Sequence, residues 1–103
     1  MQNFVKVAKT SDLKPGQMKC VNIRGQRLLI ANVGGHFYAT SEICTHEDAS
    51  LAKGKLEGEW VTCPLHGSRF NIRNGQVQEE PAEEPLRTYP LRIEENTLLV
   101  DIS

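Results

Sequence analysis

The chain has 103 residues, 39% hydrophobic and 24% charged, the composition of one ordinary globular domain, which excludes disorder and collagen-like repeats. No apolar run approaches the roughly 18 residues of a membrane span, and no signal-peptide apolar stretch follows the first lysines, so a soluble, cytoplasmic protein is expected. Twelve Lys and Arg against thirteen Asp and Glu give a net charge of -1, without the basic stripe that nucleic acid demands. The charge is nonetheless segregated: residues 1–30 carry six basic side chains against one acidic, and residues 76–103 carry two against seven. An acidic C-terminal part can steer a basic protein partner.

In chain order, residues 4–7 alternate as a short strand and meet turn material at 12–16. Residues 18–23 and 27–33 flank Arg24, Gly25 and Gln26 and predict a hairpin. Gly34 and Gly35 supply positive φ before a strand over 36–40. From Ser41 to Lys55 the periodicity disappears, which predicts a long functional loop with at most one helical turn. Residues 60–63 form a strand running into Pro64, and 68–72 its hairpin return. Asn74 and Gly75 then predict a second, primed hairpin turn. An acidic, proline-punctuated connector over 78–85 leads to a closing hairpin, 86–93 with 98–102, whose positions 91, 93, 98, 100 and 102 are expected to face inward. Pro90 places the first of its strands at an edge or bulge. The expected fold is all-β: about ten short antiparallel strands in a barrel-like or sandwich body. Residues 1–103 form one domain, with a small lobe over about 42–80.

Two of the three cysteines stand beside two of the three histidines: Cys44-Thr45-His46, and Cys63-Pro64-Leu65-His66. The odd cysteine count and the histidine neighbours favour metal or redox chemistry over a disulfide scaffold. Each segment offers one thiolate and one imidazole, and the 16 residues 47–62 allow the chain to return and set the two loops face to face. Two solutions fit this donor set. One is a tetrahedral zinc site, although zinc sites commonly draw their cysteine pair from one element and their histidine pair from another. The other is a binuclear iron–sulfur cluster with Cys44 and Cys63 on an inner iron and His46 and His66 on an outer one. Neutral imidazoles in place of two thiolates leave such a cluster less negative, which raises its potential into a range of about -150 to +300 mV.

The boxes C-T-H at 44–46 and C-P-L-H-G-S at 63–68 resemble the two ligand boxes of Rieske [2Fe-2S] proteins, and the similarity to small bacterial Rieske ferredoxins covers nearly the whole chain. The resemblance implies a Rieske fold, one [2Fe-2S] cluster per chain, and ligation by Cys44, His46, Cys63 and His66. High-potential members carry a bracing disulfide where this chain has Ala49 and Leu65. They also carry a serine and a tyrosine that donate to cluster sulfurs: Ser68 keeps the first hydroxyl, and Phe70 lacks the second. This pattern resembles the ferredoxin components of aromatic-ring-hydroxylating dioxygenase systems of aromatic hydrocarbon catabolism. It implies a monomeric one-electron carrier, not an enzyme, between an NAD(P)H-dependent flavoprotein reductase and a terminal Rieske non-heme iron oxygenase. The alternatives are a small Rieske subunit of an NADH-dependent nitrite reductase and a zinc-stabilised interaction module.

The remaining candidates have blander expectations. Cys20 reads as a small buried hydrophobe, His36 as a strand-end residue, and Trp60 as packing. Glu47 and Asp48 read either as charges that disfavour reduction or as a solvated loop tip. Leu51 and Leu65, beside the ligand histidines, are expected to form a small exposed apolar patch at which a partner docks. No phosphate loop, dinucleotide fingerprint or catalytic triad is present in the sequence.

Overall fold

A computed structural model describes residues 4–43, 49–64, 67–79 and 85–102. Among them are eleven strands and two short 3-10 turns. The strands are β1 (Phe4–Lys9), β2 (Met18–Ile23), β3 (Gln26–Val33), β4 (His36–Ser41), β5 (Lys55–Glu57), β6 (Trp60–Thr62), β7 (Arg69–Asn71), β8 (Val77–Glu79), β9 (Thr88–Tyr89), β10 (Leu91–Glu94) and β11 (Thr97–Asp101). They build three antiparallel sheets, ordered β1-β11-β10, β2-β3-β4-β9 and β5-β6-β7-β8. The all-β, antiparallel expectation holds, and the sheets lie against one another rather than closing into a single barrel.

β3 explains the arrangement. Side chains alternate across a strand, yet Leu28, Leu29, Ile30, Ala31 and Asn32 are all buried. One face, Leu28 and Ile30, packs with Ala8, Leu98, Val100 and Ile102 of the β1-β11-β10 side. The other face, Leu29 and Ala31, packs with Leu51, Val61, Cys63, Phe70, Ile72 and Leu86. A continuous apolar run is what a strand covered on both faces needs. Asn32, buried at the end of this run, is satisfied by donating to the carbonyl of Leu13 (2.9 Å) and accepting from the amide of Gly35 (2.8 Å).

The predicted hairpins form. The two-residue loops 24–25, 34–35 and 95–96 each place both residues at positive φ, the primed geometry that matches strand twist. The Asn74-Gly75 turn differs from expectation. Only Gly75 has positive φ there, and the connection runs over residues 72–76, because the Ile72 side chain is buried and its amide donates to Glu59 O (2.8 Å). β5 begins at Lys55, the last residue of the segment read as loop, and β8 overlaps the segment read as connector.

Two burial expectations are corrected. Ile93 is 50% exposed: it pairs with Leu98 as its strand position requires, but β10 is an edge strand, which leaves the side chain half open to solvent. Cys20 is exposed. It sits opposite Leu29 on β2, an edge strand of its sheet.

Truncating Leu29 to Ala removes a fully buried side chain from the contact between β3 and the third sheet, and is expected to destabilise the protein by about 2–5 kcal/mol. Urea unfolding followed by circular dichroism checks this.

Candidate functional site

Cys63 follows directly from β6. The register Val61↔Phe70 and Thr62↔Arg69 turns Val61 and Cys63 to the same inward face as Ser68, Phe70 and Ile72, and all five are buried. The Cys63 amide donates to the carbonyl of Ser68 (2.7 Å) and the Gly67 amide to the carbonyl of Cys63 (3.2 Å), which closes the turn 63–68. Gly67 takes φ 77°, a conformation that side chains disfavour.

The segment before β5 supports this turn from outside. A Cβ built on Gly54 would lie 1.9 Å from the carbonyl oxygen of Thr62, so only glycine lets the backbone pass this close to the residue preceding Cys63. An open groove of about 510 Å³ lies there, lined by Lys53, Gly54, Lys55, Glu57, Thr62, Cys63, Pro64 and Gly67. Two lysines against one glutamate on this lining give the groove beside Cys63 a net positive character.

The first box is approached through a tied neck. Ile43 and Ser50 form an antiparallel bridge, and the Leu51 amide donates to the carbonyl of Glu42 (2.9 Å). The buried Glu42 carboxylate accepts from Arg27 Nε (3.0 Å) and Nη2 (2.9 Å) and from the Ser50 hydroxyl. Elsewhere on the third sheet, the hydrogen bond from Arg73 to Glu59 (3.3 Å) raises the already high pKa of the guanidinium, which therefore stays charged at neutrality.

Of the predicted site residues, the structure brings together Cys63, Ser68, Phe70 and Leu51 in one buried wall. Cys44, His46, Leu65 and His66, with Glu47 and Asp48, lie outside the described residues. Leu51 is corrected: it is fully buried, because the 3-10 turn Leu51–Lys53, capped by Ser50, swings it into the core behind Cys63. Phe70 likewise fills that core. Arg27, Glu42, Ser50 and Gly54 escaped the sequence reading. Arg27 lies 15 residues from Glu42 and reaches it only because β3 pairs with β4.

Residues 3–90 match the Rieske [2Fe-2S] domain, and the chain belongs to this family, so its cofactor is one [2Fe-2S] cluster rather than zinc. The surroundings of Cys63 fit such a group: a thiol on an apolar wall, a glycine-bearing turn around it, and an open groove beside it. When bound, the cluster supplies storage for one electron.

The chain is 42% identical over 101 residues to the biphenyl dioxygenase ferredoxin subunit of Pseudomonas sp. (strain KKS102), covering 97% of this chain and 93% of the relative. It is 37% identical, at TM-score 0.93, to a chain in a structure described as a complex of reduced oxygenase and oxidized ferredoxin in carbazole 1,9a-dioxygenase, covering 98% and 94% of the two chains. The Sphingomonas yanoikuyae B1 ferredoxin is 30% identical, also at TM-score 0.93, covering 98% and 100%.

Gly54→Ala forces the backbone at Thr62 to move and is expected to cost about 1–3 kcal/mol and to lower the iron content of purified protein. Iron assay and thermal unfolding of the variant beside the wild type check both effects.

Proposed function

We propose that this protein is the ferredoxin component of an aromatic-ring dioxygenase system. It takes single electrons from an NAD(P)H-dependent flavoprotein reductase and delivers them to a terminal Rieske non-heme iron oxygenase. The observation that carries the reading is the match to a ferredoxin subunit over 97% of this chain and 93% of the relative. In this reading catalysis belongs to the oxygenase, and the chain acts in the cytoplasm as a monomeric carrier. No helix among the described residues is long and apolar enough to cross a membrane. The chain is read as one domain, 1–103, with the cluster lobe at about 42–80.

Cys44 and Cys63 are assigned to one iron, and His46 and His66 to the other. Mixed thiolate and imidazole ligation keeps the reduced cluster less negative than four thiolates would and raises its potential. The buried Ser68 hydroxyl is assigned as a donor to the cluster, while the Phe70 ring offers none. With Leu51 in the core, Leu65 remains the apolar docking candidate. Interfaces for electron exchange are small and transient, and a charge at Leu65 is expected to slow delivery with the cluster intact.

The reading is tested by reducing purified protein chemically and mixing it, without oxygen, with the terminal oxygenase of a biphenyl dioxygenase. The expected result is two irons and two labile sulfides per chain, and recovery of the oxidised spectrum as one electron passes on. A reduced protein that keeps its electron contradicts the proposal. Ser68→Ala is expected to lower the potential by roughly 40 mV, the one-electron equivalent of a hydrogen bond of about 1 kcal/mol. Voltammetry of the two proteins measures the difference.

A further inference from the structure

The neck of the first ligand segment contains a polar cluster that the family assignment does not explain. Residues 44–48, which carry the first box, stand between Ile43 and Ala49 in the sequence. Ile43 and Ser50 bridge each other on the two sides of the segment. Next to this bridge Glu42 is 2% exposed. Its carboxylate accepts from Arg27 Nε (3.0 Å), from Arg27 Nη2 (2.9 Å) and from Ser50 Oγ. The backbone repeats the connection, with the Glu42 amide donating to the carbonyl of Arg27 (3.1 Å) and the Leu51 amide to that of Glu42 (2.9 Å). Ser50 Oγ also accepts from the Ala52 amide (3.3 Å), which ties the cluster to the 3-10 turn Leu51–Lys53.

A carboxylate removed from water is costly unless it is paired and hydrogen-bonded, and an apolar residue of similar volume often serves stability as well or better. The Glu42 side chain is 3% exposed and that of Arg27 53%, so a buried carboxylate is held by a guanidinium that still reaches water, an arrangement that specifies geometry at a smaller desolvation cost than a fully buried pair. Here a forked guanidinium holds both carboxylate oxygens in one plane, and one of those oxygens holds Ser50 across the neck. Position 49 is alanine, so no disulfide can brace the segment there.

We propose that Arg27, Glu42 and Ser50 form a positioning clamp that fixes both ends of segment 44–48 to strand β3, and so sets the placement of Cys44 and His46 at the cluster. The proposal rests on the reading of those two residues as ligands.

The test uses the purified, cluster-loaded protein and its Ser50→Ala, Ser50→Thr, Glu42→Gln and Ile102→Val variants. Cluster loss is followed as bleaching by an iron chelator, and the reduced cluster by electron paramagnetic resonance. Ser50→Ala is expected to bleach roughly fivefold faster and to give a broadened resonance, with Glu42→Gln behaving likewise and Ser50→Thr restoring both properties through its hydroxyl. Ile102→Val trims the opposite core and is expected to bleach at the wild-type rate despite a lower melting temperature. Wild-type bleaching and resonance in Ser50→Ala overturn the clamp, as does equally fast bleaching in Ile102→Val. A His46→Ala variant with an unchanged spectrum overturns the ligand reading and the clamp with it, which separates the two failures.

Discussion

Strand β3 has no solvent face along its centre, and the rest of the molecule follows from that constraint. Its odd-numbered residues Leu29 and Ala31 belong to one core and its even-numbered residues Leu28 and Ile30 to the other, so two sheets have to pack on it from opposite sides. The candidate site is part of one of those cores. Cys63 shares a wall with Leu29, Leu51, Val61 and Phe70, so the position of the thiol is set by the same close packing that holds the fold. A redox protein gains from this, because a rigid surrounding needs little rearrangement when charge arrives.

The surroundings of the two Cys/His boxes are held by different physics. The second follows from sheet pairing: β6 and β7 bring 63 and 68 together, one backbone hydrogen bond closes the turn, and Gly54 lets the chain pass behind it. The first lies beyond β4, and its flanking residues 43 and 50 are described. Those flanks are joined by the Ile43–Ser50 bridge and by hydrogen bonds on the buried Glu42 carboxylate. Lys53, Lys55 and Glu57 line the groove beside Cys63.

Much of this was legible in the chain. The run from Leu28 to Ala31 and the paired turns at 24–25 and 34–35 announced the central hairpins through local patterns alone. The two Cys/His boxes announced the cofactor, because ligand chemistry restricts which residue types can stand at those spacings. What escaped depended on contacts distant in sequence. Glu42 carries no local signal, since its partner Arg27 lies on another strand. Leu51 reads as a loop residue until the cap at Ser50 turns it inward. Ile93 and Cys20 are exposed on the edge strands β10 and β2, and edge position is set by pairing distant in sequence. β5, Lys-Leu-Glu, is too short for its one apolar residue to signal a strand and exists because β6 offers it an edge to pair with.

If one strand serves both cores, the third sheet and the body open together. Native-state hydrogen exchange on the cluster-loaded protein tests this most directly. The amides of Leu29, Ile30, Val61 and Phe70 are predicted to exchange with one common opening free energy, equal to that of global unfolding. Exchange at Val61 and Phe70 through a separate, lower-energy opening while Ile30 stays protected would contradict it, and would make the cluster lobe an independent unit resting on the body.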